Sequence, residues 1–242
     1  MQETKLKLDY TLNESKGNVP VIVVAAGSSS RMKGTNKQLA QIGSVPVVIK
    51  SLLAFENCSS ISNIILVVRT EDLFQIQMLC EKYMVSKLTD IVCGGDTRQE
   101  SVLKGFSRLP SNTEKVLIHD GARPFVNNEI ICSVIDALDE YSAVTCGVKV
   151  KDTIKKVSNN GVVVNTVDRQ DLIAVQTPQG VKVSQYLDAC QKVDVSKYTD
   201  DTSIMEAAGH SVFVTEGSYK NFKITTKEDL IMANAFISEE EE

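Results

Sequence analysis

Apolar residues fall into short unbroken runs, separated by longer stretches in which polar and apolar positions recur at helical spacing. The first run, Val19–Ala26 (VPVIVVAA), ends at Gly27. A strand that is apolar throughout, rather than alternating, is one buried on both faces. Further runs lie at Ile64–Val68, Leu88–Cys93, Val116–Ile118, Ala143–Val150 and Val212–Thr215. The stretches Val47–Phe55, Glu71–Tyr83, Gln99–Leu109, Asn128–Tyr141 and Asp200–Ala208 predict helices. A last helix is predicted over Lys227–Ile237, with Thr226 as its N-cap. Strands alternating with helices predict an α/β fold with a doubly wound, mainly parallel sheet covered on both faces. In such sheets ligands sit at the carboxyl ends of the strands.

Residues 149–169 break the alternation. KVKDTIKKVSNNGVVVNTVDR alternates polar and apolar residues on both sides of Asn159-Asn160-Gly161, which predicts a β-hairpin. One face is too polar to be core, so the hairpin is expected to project as an arm. An isolated hairpin is marginal in water, which makes a second subunit a natural support. Residues 1–18 are polar and read as a loose lead-in, residues 19–238 as a single domain, and 239–242 as an acidic tail.

Composition narrows the function classes. The chain has 242 residues and 43% hydrophobic content, enough for a substantial core. A net charge of −5 supplies no global field for nucleic acid or an anionic membrane, so a polyanionic ligand would need local cations. No apolar stretch suggests a signal core or a membrane span, and a cytoplasmic location is expected. The six cysteines form no C-x-x-C pair and read as buried thiols. Two histidines make a zinc site improbable.

Candidate chemistry lies in the loops that follow the buried strands. Gly27, with Ser28, Ser29 and Ser30, lets backbone N–H groups approach an anion, and taken alone a plain βα turn with a solvent-exposed arginine explains the loop equally. The loop carries neither the G-x-G-x-x-G nor the Walker pattern. Arg31, Lys33 and Lys37 follow in the same connection and suit a triphosphate, although Lys33 reads better as solvated charge. Gly94 and Gly95 permit close approach to a flat base, with Ser101 in the first turn of the next helix; a glycine turn with Asp96 capping that helix competes. Asp120, at the end of its strand, can hold a ribose hydroxyl or a magnesium ion. Arg123 can reach a phosphate, whereas His119 reads as a locally bonded residue. Lys223 is a charge within a short β-like run, a local conflict of the kind found at functional sites. An exposed edge lysine is nonetheless the commoner explanation.

The segments VVAAGSSSRM, NKQ, GGDTRQES, HDGARP, VKDTIK, TVDR, QTPQ, YTDDTS and NFKIT occur in this order. Together, over roughly residues 19–237, they resemble the 2-C-methyl-D-erythritol 4-phosphate cytidylyltransferase family of the non-mevalonate isoprenoid pathway. The resemblance implies a Rossmann-like nucleotidyltransferase, homodimeric through its β-arm. The implied reaction uses CTP and Mg²⁺ and joins CMP to methylerythritol 4-phosphate with release of pyrophosphate. It implies that Arg31 and Lys37 stabilise the transition state, and that Arg169 and Lys223 place the substrate phosphate. Ala25, Ala26, Gly27, Gly95, Asp96 and Ser101 match cytidine-binding positions, and Asp120 matches the residue near ribose and metal. Arg123, Thr153 and Thr199 match substrate-binding positions, with Thr153 and Arg169 on the arm serving the neighbour's site. Three positions depart from the common family pattern. Many members have glycine where Ser29 stands, proline where Asn36 stands, and an aromatic where Val181 stands. Two other assignments compete. One is a ribitol 5-phosphate cytidylyltransferase, against which TVDR and DTIK speak. The other is a non-catalytic nucleotide-binding protein on the same fold, against which the joint presence of Arg31, Lys37, Arg169 and Lys223 speaks.

Overall fold

A computed structural model of the chain describes residues 19–27 and 36–240. The lead-in, the Ser28–Ser30 loop, Arg31, Lys33 and the last two residues of the acidic tail lie outside the described residues. The described elements are β1 (Val19–Val24), β2 (Gln41–Ile42), β3 (Val45–Pro46), α1 (Val47–Glu56), β4 (Ile61–Val68), α2 (Leu73–Lys82) and β5 (Leu88–Cys93). They continue with α3 (Arg98–Phe106), β6 (Lys115–Asp120), α4 (Asn128–Ala137), β7 (Ala143–Lys149), β8 (Ile154–Val157), β9 (Val163–Val167) and β10 (Ile173–Lys182). The chain closes with α5 (Val183–Lys192), α6 (Asp201–Ala207), β11 (Val212–Glu216) and α7 (Lys227–Glu240).

Among the described residues the main sheet has the strand order β11-β7-β10-β6-β1-β4-β5. The β1–β4, β1–β6, β4–β5 and β7–β11 pairs are parallel. The reason for the apolar runs is visible at β1. Val21 and Val23 pack on one face with Leu52 and Phe55 of α1, Ile76 of α2 and Ile131 of α4. Ile22 packs on the other with Val102 of α3, Tyr186 of α5 and Met205 of α6. Both faces exclude water, so no position in the strand can be polar without a partner.

Two elements differ from the sequence reading. QTPQ, over which no strand is predicted from the sequence, lies inside the ten-residue strand β10. This strand runs antiparallel to both its neighbours, β6 and β7. Its polar residues hid it, yet Gln176, Thr177 and Gln179 are buried because each finds hydrogen-bond partners. Helix α5 was also unread. It buries Tyr186 and Ala189 against the α3 and α6 face.

The helix starts follow local capping chemistry. Asn127 and Asp200 accept main-chain N–H bonds at α4 and α6. Thr226 Oγ1 accepts from Asp229 N at 3.3 Å at the start of α7, as predicted. At α3 the cap is Thr97, not Asp96: Thr97 Oγ1 accepts from Glu100 N at 3.1 Å. The Glu100 carboxylate in turn accepts from Asp96 N at 2.8 Å, which ties the first turn of α3 to the residue before its cap.

The arm is present as a separate two-stranded sheet, β8 antiparallel to β9, with every residue of β8 exposed. Its turn is one residue longer than an Asn-Gly hairpin. Gly161 N donates to Ser158 O at 3.0 Å and Gly161 carries a φ of 78°. Asn159 and Asn160 therefore form the turn, and Gly161 takes the left-handed position that follows it.

Candidate active site

The direction of chain winding reverses beside β1. From β1 the chain crosses through α1 to β4 and then outward to β5, while α3 returns it to β6 on the other side of β1. The carboxyl ends of β1 and β6 therefore splay apart at a topological switch point, where ligands bind in such sheets. A cavity of about 480 Å³ opens there. Ala26 and Gly27 after β1, Gly95 and Asp96 after β5, Asp120 at the end of β6 and Ala122 just beyond it form its walls, with Lys37, Ser101 and Lys223.

Local packing explains the loop composition. A side chain at Gly94 would put its Cβ 2.4 Å from Ala26 Cβ, so glycine is what lets the β5 loop lie against the end of β1. Ser101 Oγ accepts from Gly95 N at 3.0 Å and donates to Thr97 O at 2.9 Å, which pins the loop edge at the cavity. Lys37 stands close to Gly27: a Cβ there would be 4.0 Å from Lys37 Nζ. Asn36, where many family members have proline, holds this turn with its side chain. Its Oδ1 accepts from Gln38 N at 3.1 Å, and its Nδ2 donates to Asp72 Oδ1 at 2.8 Å. Val181, the other described departure, is wholly buried in β10.

A second cavity of about 450 Å³ shares Arg98, Asp120 and Lys223 with the first and extends toward Arg123, Gln176, Gln179, Thr199 and Asp200. Asp120 is the hub between them. Its carboxylate lies 2.8 Å from Lys223 Nζ, 3.4 Å from Arg98 Nε and 3.8 Å from Arg123 Nε. Burial alone would raise its pKa. The Arg98 guanidinium, the Lys223 ammonium and Arg123 outweigh burial and hold the carboxyl well below the usual carboxylate range. Arg98 also binds Asp201, with Nη2 2.8 Å from Oδ2. Asp201 is fully buried and accepts from Tyr186 Oη at 2.8 Å.

The Lys223 segment is not a strand. It is a loop fastened to the segment after β6: Ile224 N donates to Ala122 O at 2.8 Å, and Arg123 Nη1 donates to Asn221 O at 2.8 Å. Asn221 Nδ2 donates to Thr177 O at 2.9 Å and ties the same loop to β10. His119 is wholly buried and bonded locally, as expected. Its Nε2 donates to Arg123 O at 3.2 Å, and its Nδ1 accepts from Thr177 Oγ1 at 3.1 Å. Burial pushes its pKa down to about 3, so the ring is neutral at physiological pH.

Ala26, Gly27, Lys37, Gly95, Asp96, Ser101, Asp120 and Lys223 line the first cavity, and Arg123 and Thr199 line the second. Ala25 is buried in the β1–β4 ladder and lines neither. Thr153 and Arg169 are exposed at the base of the arm and line neither cavity. Arg169 Nη1 donates to Lys151 O. Arg31 lies outside the described residues. Sequence reasoning gave Arg98 no role, although a signal was present: a cation at the first position of a helix opposes the helix dipole. Gln179 was also overlooked. Its Oε1 accepts from Asp201 N at 2.9 Å and its Nε2 donates to Asp200 Oδ2 at 2.6 Å, which sets the start of α6.

An open, mostly parallel Rossmann-like sheet, a glycine loop after its first strand, and two joined cavities with basic side chains facing them define a nucleotidyltransferase. Comparison with known proteins narrows this class. The family model for 2-C-methyl-D-erythritol 4-phosphate cytidylyltransferase matches residues 19–239. A protein of that name from Bacillus cereus is 45% identical over 220 residues, covering 90% of this chain and 96% of the relative. The crystal structure of a 4-diphosphocytidyl-2C-methyl-D-erythritol synthase from Anaerococcus prevotii has a TM-score of 0.80 at 32% identity, covering 92% of this chain and 97% of that one. The cytidylyltransferase structure from Francisella tularensis has a TM-score of 0.74 at 29% identity, covering 90% and 99%. The chain belongs to the 2-C-methyl-D-erythritol 4-phosphate cytidylyltransferase family.

Proposed function

We propose that this chain transfers CMP from CTP to the phosphate of 2-C-methyl-D-erythritol 4-phosphate. The product is 4-diphosphocytidyl-2-C-methyl-D-erythritol, made for isoprenoid precursor synthesis. Besides family membership, one observation carries the reading: two joined cavities share a wall of Arg98, Asp120 and Lys223. The first takes the nucleotide, with the cytosine against the Gly95 loop and the triphosphate against Gly27 and Lys37. The second takes the alcohol phosphate.

A phosphate oxygen of the alcohol substrate attacks the α-phosphorus of CTP. A new P–O–P bond forms, the α–β bond breaks, and pyrophosphate leaves. The nucleophile is already ionised, so no general base is needed. The barrier is the approach of two polyanions in line. Arg31 and Lys37 neutralise charge on the nucleotide side, while Lys223 and Arg169 hold the incoming phosphate. Arg169 and Thr153 serve the site of a second subunit, whose arm they belong to, which makes the working unit a homodimer.

Asp120 is an ionised carboxylate facing both cavities, and no cluster of three or more His, Cys, Asp or Glu suited to a metal occurs among the described residues. Mg²⁺ would accordingly be held chiefly by the nucleotide phosphates, with Asp120 as the protein carboxylate beside it. When bound, it supplies neutralisation of phosphate charge. No helix among the described residues is long and apolar enough to cross a membrane. A cytoplasmic location is part of this reading.

Pyrophosphate release with CTP, Mg²⁺ and a panel of methylerythritol 4-phosphate, erythritol 4-phosphate and ribitol 5-phosphate tests the proposal. Fastest turnover is expected with methylerythritol 4-phosphate. Faster turnover with ribitol 5-phosphate refutes the substrate, and release with none refutes the enzyme.

A further inference from the structure

We propose that Arg98 is a positioning residue that controls how readily Lys223 leaves Asp120 to take hold of the alcohol phosphate. The inference rests on the reading of Lys223 as the cation that binds that phosphate.

Lys223 Nζ is 2.8 Å from Asp120 Oδ2, so its charge is already engaged. Binding a phosphate through Lys223 means giving up that contact. Asp120 is only 7% exposed, and a buried carboxylate stripped of its cation is strongly penalised. Among the protein's own side chains, and at a fixed Mg²⁺ concentration, the exchange is therefore only as easy as the remaining cations make it. Arg123 is a weak substitute: its Nε is 3.8 Å away and its Nη1 is committed to Asn221 O. Arg98 is the other, with Nε 3.4 Å from Asp120 Oδ1.

Arg98 is itself divided. Its Nη2 is 2.8 Å from Asp201 Oδ2, a shorter contact than the one to Asp120. Asp201 cannot turn away, because it is fully buried, its Oδ1 accepts from Tyr186 Oη and its main-chain N–H donates to Gln179. One guanidinium thus bridges the base of α6 and the hub of the site. Its remaining Nη1 is buried without a hydrogen-bond partner among the described residues, a donor held in reserve. The more Arg98 gives to Asp120, the more loosely Asp120 holds Lys223. Asp201 competes in the opposite sense.

This balance predicts opposite signs for two conservative changes. Arg98→Lys keeps the charge but, as a point charge without the planar fork, cannot serve two carboxylates. Asp120 then holds Lys223 harder, and KM for methylerythritol 4-phosphate rises by about 10-fold while KM for CTP changes by less than about 3-fold. Asp201→Asn keeps a hydrogen-bonding side chain, frees Arg98 for Asp120 and lowers KM for the alcohol phosphate. Steady-state kinetics on the full chain read both effects, with circular dichroism confirming the fold. The double variant Arg98→Lys/Lys223→Gln should be no worse than Lys223→Gln alone, within about 2-fold, because Arg98 acts through Lys223. Multiplying defects would mark Arg98 as merely structural and overturn the proposal, as would equal rises in both KM values. If Arg98→Lys does not fold, Asp201→Asn decides: an unchanged or raised KM overturns the proposal. The underlying reading fails separately, if Lys223→Gln leaves KM and kcat for the alcohol phosphate unchanged.

Discussion

Acid should destabilise this protein through one residue beside the site, His119. Its ring is wholly buried in β6 and meets Phe55 edge-on at 4.8 Å between centroids. Arg123 O can only accept, so the ring carries its proton on Nε2, and Nδ1 is left to accept the hydroxyl proton of Thr177, whose Oγ1 also accepts from Asp120 N at 3.0 Å. Adding a second proton would force the Thr177 hydroxyl to turn away and would put a charge in a dry pocket. Burial is the main reason the pKa falls to about 3; Asp120 and the hydrogen bond to the Arg123 carbonyl oppose the shift, and the charges of Arg123 and Lys223 add to it. In the unfolded chain the group titrates near 6.5. As pH falls between these values the unfolded state takes up a proton that the native state refuses, so stability drops with pH across that window and no further below it. At pH 5 the loss from this residue, RT ln(1 + 10^1.5), is about 2 kcal/mol relative to neutral pH. Urea unfolding at pH 7, 6 and 5 measures it, with His119→Gln as comparison. The variant is less stable throughout but lacks this slope, so the gap between the two proteins narrows by about 2 kcal/mol on going to pH 5. A gap that stays constant with pH would show that His119 protonates in the native state and refute the reasoning.

Arg31→Ala should cost on the order of 10³ in turnover while CTP binding stays detectable by calorimetry; near-normal turnover would reduce the glycine loop to a binding feature. Mixing Arg31→Ala with Arg169→Ala subunits should restore part of the activity, because one kind of site in the heterodimer has both arginines. Heterodimers that form without recovering activity would count against a shared site. Gly94→Ala should destabilise by roughly 1–3 kcal/mol in urea unfolding, since its Cβ would overlap Ala26 Cβ at 2.4 Å. A neutral result would mean that the β5 loop can retreat from β1.

Much of the fold was legible because burial on two faces leaves a sequence little choice. Ile22 and Val23 face opposite cores, so β1 had to be apolar at both positions. Capping is equally local: Thr226 announced α7 from the sequence, and the competing assignment of the α3 cap to Asp96 lay one residue from the actual cap, Thr97. The hairpin was readable from its alternation on both sides of Asn159-Asn160-Gly161, the residues that form its loop. β10 was hidden for a tertiary reason. Its buried Gln176, Thr177 and Gln179 are satisfied by partners on other elements, such as Ser218 for Gln176 and Asp201 for Gln179. No local pattern reveals that such polar residues are interior.

The site divides in the same way. The sequence by itself determined which loops carry anion-compatible chemistry, because glycines and cations placed after buried strands are a local signature. Only the tertiary structure decided which of those loops meet. Strand order puts β6 beside β1 and opposite β4, and that adjacency brings Asp120 to the Gly27 side of the sheet. It also decided that Arg98 answers two carboxylates, one 22 residues away on β6 and another at the base of α6. Charge partners of this kind are set by desolvation and long-range packing, quantities that the spacing of residues along a chain does not encode.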